Sequence, residues 1–311
     1  MFHANMLLPA LVAAVSLITT AAAAQGQGQG PGSSNGQPNC QLVVESGPDQ
    51  WIINYDPFTD TAAERQFDLA VVNRGSGPCT GVVSVDTRGE PFGLSLNGDA
   101  QRLPYALVDE RGGSDVTPRA GENARRVGAR PFNLGAGERD ILRFTFAVNS
   151  EALLGAGLYS QSVTIGLQHP SGVPLANKPV TLAVRIAPAA MMGLKGEFSR
   201  QGGLPTINLG ELTQGGRRLN TSLYVLSTGG YSVSVTSAND GQLRQGASGW
   251  AVPYGLAIGD RVMNLTRGDR LEVVSNRPRI DDYPLSITLG STEGRRAGDY
   301  SDVLTFTVSA L

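Results

Sequence analysis

The chain has 311 residues, of which 41% are hydrophobic and 17% charged, and its formal net charge is −2. This composition predicts a folded chain long enough for two ordinary domains, and it excludes an intrinsically disordered protein. The nearly balanced charge argues against nucleic acid or an anionic membrane surface as a partner.

The first 24 residues are typical of a secretory signal peptide. The stretch MLLPALVAAVSLITTAAAA has an apolar core and ends in the small residues Ala22, Ala23 and Ala24, although no Lys or Arg precedes that core. We therefore expect cleavage before Gln25 and export of the mature chain. Residues 25–39, QGQGQGPGSSNGQPN, contain no apolar side chain and are expected to form a flexible leader.

Export gives meaning to the two cysteines. In an oxidising compartment, Cys40 and Cys79 are expected to form one disulfide, and a pair of buried free thiols is the alternative. A metal site is a weaker alternative, because His169 is the only histidine of the mature chain and no CxxC motif occurs.

The rest of the chain predicts an all-β protein with two tandem domains. It contains 40 Gly and 18 Pro, frequent β-branched residues and short alternating apolar stretches every 8–12 residues or so, a pattern typical of β-sandwiches. The segment APAAMMGLKG interrupts the alternation, so we expect a linker at 188–194 between domains at 40–187 and 195–311.

The two predicted domains share motifs in the same order. LPYAL (103–107) precedes AGLYS (156–160), and VPYGL (252–256) precedes AGDYS (297–301). FTFAVN and LSITLG come just before the respective AG-x-Y-S motifs, and FGLSLNGD (92–99) is echoed by YSVSVTSAND (231–240). These correspondences indicate two copies of one domain.

The copies differ after the AG-x-Y-S motif. The first continues through SQSVTIGL and a turn into the strand VTLAVRIA, whereas the second has only the alternating stretch 303–308 and three further residues. We therefore expect the second sandwich to lack its final strand. Leu304, Phe306 and Val308 should point into the core beside an open acceptor groove, which a strand from another chain would fill.

The ordered set of CQLVV, INYDPFTDTAAERQFDLAVVNRGSGPCTGVVSV, the P-Y-x-L motifs and the terminal AGDYSDVLTFTV resembles the spore coat protein U domain family. The family includes secreted subunits of archaic chaperone–usher pili. The resemblance implies immunoglobulin-like (pilin-like) sandwiches, the second completed first by a periplasmic pilus chaperone and later by a neighbouring pilin subunit at an outer-membrane usher. It also implies passage through the periplasm to the cell surface.

The leader refines this expectation. A strand donor needs alternating apolar side chains, and residues 25–39 have none, so the chain is expected to receive a strand without donating one. That role suits a tip adhesin, with the first domain binding an unknown receptor or surface in attachment or biofilm formation. A self-standing spore-coat or extracellular matrix protein is the alternative.

No residue pattern predicts an enzyme or a cofactor. An exported hydrolase is a residual alternative that would have to use His169, which lies in LQHPSG without a G-x-S-x-G motif. The paired acids Asp281 and Asp282 are expected to be solvated turn residues. A calcium site is a weak alternative, since no D-x-[DN]-x-[DN]-G loop is present. Two apolar segments are expected to face the core, and a role as adhesive loops is the alternative. Their large residues are Trp51, Ile52, Ile53, Leu153 and Leu154.

Overall fold

The computed structural model describes residues 39–59, 61–119, 130–148 and 153–311. The expected signal peptide and nearly all of the expected leader lie outside the described residues. The described chain is all-β, as predicted, and within it no helix is long and apolar enough to cross a membrane.

The strands fall into two groups, and no strand of one group pairs with a strand of the other. The first group, here called the N-terminal sandwich, comprises β1 (Leu42–Val44), β2 (Gln50–Tyr55), β3 (Ala63–Asn73), β4 (Cys79–Asp86), β5 (Ser95–Leu96), β6 (Tyr105–Asp109), β7 (Ser114–Asp115), β8 (Phe132–Leu134), β9 (Arg139–Val148), β10 (Gly157–Gln168) and β11 (Pro174–Ile186).

The second group, here called the C-terminal sandwich, comprises β12 (Ala190–Gly196), β13 (Ser199–Gln201), β14 (Leu204–Thr206), β15 (Gly215–Ser227), β16 (Tyr231–Ser237), β17 (Gln242–Arg244), β18 (Ala251–Ile258), β19 (Arg261–Met263), β20 (Asp269–Val273), β21 (Arg279–Leu289) and β22 (Leu304–Ala310).

The N-terminal sandwich packs a five-stranded sheet, ordered β1-β3-β9-β6-β7, against a six-stranded sheet, ordered β2-β11-β10-β4-β8 with β5 paired to β10. Alternation along the strands produces this layering, because every second side chain of a strand faces the other sheet. In β10, for example, Val163, Ile165 and Leu167 are buried while the residues between them are not. Trp51, Phe144 and Phe146 are among the largest fully buried side chains of the resulting core.

The C-terminal sandwich repeats the central strand order of the N-terminal sandwich. Its larger sheet, ordered β12-β15-β21-β18-β17 with β19 paired to β18, matches the β1-β3-β9-β6 order, and β13 and β14 form a separate hairpin. Its second sheet has three strands, ordered β20-β16-β22, which correspond to β8, β4 and β10. Within the described residues, this second sheet contains no counterpart of β2 or β11.

The repeated motifs occupy equivalent places. The P-Y-x-L tyrosines, Tyr105 and Tyr254, lie on β6 and β18, which pair with β9 and β21 respectively. In each AG-x-Y-S motif the tyrosine hydroxyl donates to a carbonyl four residues upstream: Tyr159 to Gly155 at 3.1 Å and Tyr300 to Arg296 at 2.7 Å. This contact is a tyrosine corner, which fixes the chain as it enters the penultimate strand of an immunoglobulin-like sandwich.

One predicted correspondence is wrong. FGLSLNGD forms β5, which pairs with β10, whereas YSVSVTSAND forms β16, whose equivalent is β4. The residue opposite Ser160 is Ser95 of β5, and the residue opposite the equivalent Ser301 is Arg244 of β17, so β17 is the real match to β5. The apolar spacing of the two segments is similar, and it cannot by itself distinguish neighbouring strands of one sandwich.

The linker is shorter than predicted. Residues 190–194 belong to β12, which pairs with β15 from Ala190 opposite Ser227 to Gly196 opposite Thr221. Only 187–189 separate this strand from β11. The junction is held by Thr228, whose N–H donates to the carbonyl of Ala189 at 3.0 Å and whose own carbonyl accepts from the N–H of Ala156 at 2.8 Å.

The predicted disulfide is confirmed. Cys40 and Cys79 are bonded with a Cα–Cα distance of 5.1 Å. Cys40 precedes β1 in one sheet and Cys79 begins β4 in the other, so the bridge joins the two sheets of the N-terminal sandwich. The fully buried Asn73 supports the same corner, because its side-chain amide donates to the carbonyls of Gly77, Leu134 and Gly135.

Replacing both cysteines by serine should destabilise the N-terminal sandwich. The bridge closes a loop with a sequence separation of 39 residues, which corresponds to about 3–4 kcal/mol in the loop-entropy model. Guanidinium unfolding followed by the fluorescence of the buried Trp51, with Trp250 changed to Phe in both proteins, measures the effect. An unchanged unfolding midpoint would contradict it.

Candidate functional site: an open groove in the C-terminal sandwich

Strand β22 uses only one of its two edges. It pairs with β16 from Leu304 opposite Ser237 to Ala310 opposite Tyr231, and no described residue forms a ladder along its other edge. Its counterpart β10 is paired on both edges, with β4 and β5 on one side and β11 on the other. The edge of β22 is therefore open where the equivalent edge of the first sandwich is closed.

The register shows which backbone groups face the open edge. Leu311 N–H donates to the Gly230 carbonyl, and Ala238 N–H donates to the Val303 carbonyl, both at 2.9 Å. In an antiparallel ladder every second residue points its N–H and C=O at the partner. Odd-numbered residues of β22 thus bond to β16, and the N–H and C=O groups of Leu304, Phe306 and Val308 point away from it.

The side chains of the same three residues point toward the core. Leu304, Phe306 and Val308 pack against the main core of the C-terminal sandwich but are only half-buried. When the two sandwiches are aligned on Tyr159 and Tyr300, these three residues correspond to Val163, Ile165 and Leu167. Those residues are 2%, 0% and 0% exposed. The open edge therefore leaves apolar area uncovered as well as backbone groups.

Strand β12 forms the opposite side of the groove. At one end of its ladder with β15, the Ala189 carbonyl accepts from the Thr228 N–H. At the other end, the Glu197 N–H donates to the Asn220 carbonyl. The odd-numbered residues of β12 therefore bond to β15. Ala190, Met192 and Leu194 consequently turn their backbone groups outward, and their side chains are half-buried against the core. Two open ladders with matching apolar faces border the groove.

The groove is narrower than an inserted strand requires. Cα atoms of β12 and β22 approach within 8 Å of each other. A strand paired on both sides needs its neighbours about 10 Å apart, because paired strands are spaced roughly 4.8 Å. The two edges must move apart where they are closest before a third strand can bond to both.

A cavity lies beyond the end of β12. It has a volume of about 560 Å³ and lies between the β13–β14 hairpin and β15. Leu219 lines this cavity and also packs against the core that Leu304, Phe306 and Val308 contact.

The apolar segments weighed as adhesive loops do not form an exposed contact. Trp51 and Ile53 are 0% and 4% exposed and lie in the core, so an adhesive role for these two is wrong. Strand β2 turns them inward, and the Trp51 ring stacks on Phe67 at 5.1 Å between ring centroids. Ile52, Leu153 and Leu154 are partly exposed, and Leu154 packs against the same core.

The candidate catalytic histidine lies in a turn. The Nδ1 atom of His169 is 2.7 Å from the Ser171 hydroxyl and accepts the Ser171 N–H, contacts that stabilise the β10–β11 connection. Among the described residues, no group of three or more His, Cys, Asp and Glu is placed to hold a metal ion.

The acidic pair at 281–282 lies on a strand, which corrects the expectation of solvated turn residues. Both carboxylates have partners: Asp282 pairs with Lys195 at 2.8 Å, and Asp281 accepts two bonds from Arg279 and one from the Tyr231 hydroxyl. The Arg279 guanidinium, the largest influence, lowers the pKa of Asp281. This network lies beside the end of the groove, because Tyr231 is opposite Ala310.

The chain is similar to several solved structures of pilus proteins. A chain from the complex of the chaperone CsuC with the tip adhesion subunit CsuE of the archaic Csu pili of Acinetobacter baumannii is 11% identical, with a TM-score of 0.47 over 86% of this chain and 99% of that one. The CooA pilin subunit of enterotoxigenic Escherichia coli is 13% identical, with a TM-score of 0.34 over 48% and 99%. The enterotoxigenic E. coli adhesin CfaE is 9% identical, with a TM-score of 0.33 over 86% and 94%.

No protein-family model and no curated protein matches the chain. Membership of the spore coat protein U domain family therefore stays a prediction. The identities and TM-scores above are low, so the function is inferred below from the geometry of this chain.

The sequence predicted one side of the groove and missed the other. Leu304, Phe306 and Val308 alternate with polar residues, whereas the β12 side is formed by Ala190, Met192 and Leu194, with the non-polar residues Met191 and Gly193 between them. No sequence motif predicts the cavity that Leu219 lines, because it is formed by segments distant in sequence, the β13–β14 hairpin and β15.

Amide hydrogen exchange along β22 should alternate. The N–H groups of Thr305, Thr307 and Ser309 are bonded to β16 and should be protected, while those of Leu304, Phe306 and Val308 face the open edge and should exchange much faster. Residue-resolved exchange by NMR on the full chain measures this pattern. Equal protection of both sets would show that the edge is already paired.

The Arg279–Asp281 pair should make stability acid-dependent. A carboxyl whose folded pKa is lowered stabilises the fold above its unfolded pKa of about 3.9, and this contribution disappears as the pH falls through the lowered folded value. Asp281→Asn should therefore be destabilising at pH 7, and its difference from wild type should shrink below about pH 3.9. Guanidinium unfolding at several pH values tests this, with the exposed Asp299→Asn as the control. A difference independent of pH would contradict the role of the charge.

Proposed function

We propose that this chain is a non-enzymatic fimbrial subunit whose C-terminal sandwich accepts a strand from another polypeptide. The observation that carries the proposal is the open edge of β22 beside the half-buried Leu304, Phe306 and Val308. The chain itself supplies the template: in the N-terminal sandwich, β11 occupies the equivalent place, pairs with β10 and β2, and buries Val180, Leu182 and Val184 in the core.

The energetics support a required partner. An inserted strand that buries four or five apolar side chains contributes roughly 1.5–3 kcal/mol for each, in addition to its backbone hydrogen bonds. A whole domain is typically stable by about 5–15 kcal/mol. The supply of the strand therefore decides whether the C-terminal sandwich persists.

The finer role we propose is that of a tip adhesin in a chaperone–usher pilus. The N-terminal sandwich has its own closing strand and suits an independent adhesive domain, although its receptor surface is unknown. Residues 25–39 have no apolar side chain with which to fill a neighbour's groove. A periplasmic chaperone would lend the strand first, and a neighbouring pilin subunit would replace it at the usher, with the fibre then mediating attachment or biofilm formation at the cell surface.

A self-standing coat or matrix protein is the second candidate. The close approach of β12 to β22, within 8 Å between Cα atoms, favours it, because a groove that narrows without an inserted strand covers part of its own apolar face. The two candidates differ in whether an added strand stabilises the protein.

Adding a strand in trans tests the proposal. A synthetic peptide with the sequence of β11, PLANKPVTLAVRI, should raise the melting temperature of the C-terminal sandwich in the full chain and should slow amide exchange at Leu304, Phe306 and Val308. A scrambled peptide of the same composition is the control.

Two substitutions locate the binding site. Phe306→Asp places a charge in the groove and should abolish the stabilisation, whereas Thr307→Asp, on the opposite and exposed face of β22, should retain it. If the unsupplemented sandwich melts cooperatively at high temperature and the peptide changes nothing, the self-standing candidate is correct.

A further inference from the structure

Arg217 lies at an unusual place, on the face of β15 that is directed toward the core. The alternation of β15 buries Leu223 and Val225, and Arg217 and Leu219 continue the same odd-numbered series despite a register irregularity between Arg218 and Ser222. The Nη2 atom of Arg217 is buried and has no hydrogen-bond partner among the described residues. Leaving a charged donor buried and unpaired is costly, so the position calls for an acceptor.

The first sandwich has an arginine at the equivalent position. In the first sandwich, Val148 lies between Ala63 on one neighbouring strand and Tyr105 on the other. In the second sandwich, Leu289 lies in the same way between Gly215 and Tyr254, so Ala63 and Gly215 are equivalent. Two residues further along β3 and β15 lie Arg65 and Arg217, opposite Phe146 of β9 and Ile287 of β21.

Arg65 shows what this position can bind. Its Nη1 atom donates to the main-chain carbonyl of Ile52 at 3.3 Å. Ile52 belongs to β2 in the facing sheet, where it pairs with Ala183 of the closing strand β11. A guanidinium at this position therefore reaches from one sheet to a backbone carbonyl of the edge strand of the other, which here is β2, next to the closing strand β11.

Arg217 faces a cavity, whereas the equivalent Arg65 bonds to a strand of the facing sheet. The cavity of about 560 Å³ beyond the end of β12 is lined by Arg217, Arg218 and Leu219. Within the described chain, the second sheet contains no counterpart of β2 or β11 to supply the carbonyl. No ion pair of Arg217 is found among the described residues.

We propose that Arg217 donates a hydrogen bond to a main-chain carbonyl of the strand that fills the groove, and thereby fixes its register. The inference rests on the proposed strand-accepting function and adds a specificity residue to it. Because successive carbonyls of a strand point in opposite directions, a slip by one residue would turn the acceptor away from Arg217 and move the apolar side chains to the wrong face.

The test is the affinity of the full-length protein for the fluorescein-labelled peptide PLANKPVTLAVRI, measured by fluorescence polarisation. Arg217→Met should weaken binding by about tenfold or more, the usual effect of losing a buried hydrogen bond to a charged group. Arg267→Met is the matched control: it removes the same charge from an exposed residue of the C-terminal sandwich that does not line the cavity, and it should leave the affinity nearly unchanged.

Melting temperature separates this role from a structural one. Arg217→Met removes an unpaired buried donor, so the protein without peptide should melt at the same or a higher temperature while its affinity falls. Arg217→Lys keeps one donor and should recover part of the affinity. A variant that loses melting temperature and affinity together, with no recovery in the lysine variant, overturns the proposal.

A scan of peptides carrying a single thioamide, a weaker acceptor than an amide, should locate the carbonyl. One position should weaken binding to wild type and have no effect in Arg217→Met. If wild type binds the peptide and Arg217→Met binds it equally, the Arg217 contact is refuted while strand acceptance stands. If wild type binds neither this peptide nor its thioamides, both inferences fail.

Discussion

The constraint on which this structure depends is that the N–H and C=O groups at a sheet edge need partners and the apolar face beside them needs a cover. Strand β11 meets both needs in the N-terminal sandwich, since it bonds to β10 and β2 and buries Leu182 and Val184. The same place in the C-terminal sandwich is open. Phe306 and Met192 are only half-buried beside this open place, and the buried Nη2 of Arg217 has no partner among the described residues.

The comparison of the two sandwiches is informative because so much else is shared. Tyr159 and Tyr300 make the same hydroxyl–carbonyl contact, and the glycines two residues before them, Gly157 and Gly298, both have φ of 148°. Only glycine adopts such a conformation readily, which explains the Gly of each AG-x-Y-S motif. The same corner is present in both copies, so the lack of a closing strand for the second sheet among the described residues is a difference in strand content and not in fold.

The sequence predicts features that depend on local period and misses those that depend on packing. Alternation identified β22 and its core-facing residues, and the repeated motifs identified the second copy. Alternation could not show that Trp51 and Ile53 face inward, because a short apolar run has no contrast between its two faces. Ala190 and Gly196 are weak strand formers, so the sequence predicts a linker where β12 forms a ladder with β15. The arginine pair at 65 and 217 becomes visible only through strand register.

The turn at His169 has a consequence for how each sandwich responds to dilution. It joins β10 to β11, so the closing strand of the first sandwich is always present at a high effective concentration, whatever the amount of protein. A strand supplied by a second polypeptide follows mass action, and the folded fraction of the C-terminal sandwich would then rise and fall with the supply of its partner. A cell that made this chain in excess over its strand donor would accumulate molecules with a folded N-terminal sandwich and an unfolded C-terminal sandwich. Proteases would degrade these molecules, and the amount of this chain would then follow the amount of the donor without a dedicated regulator.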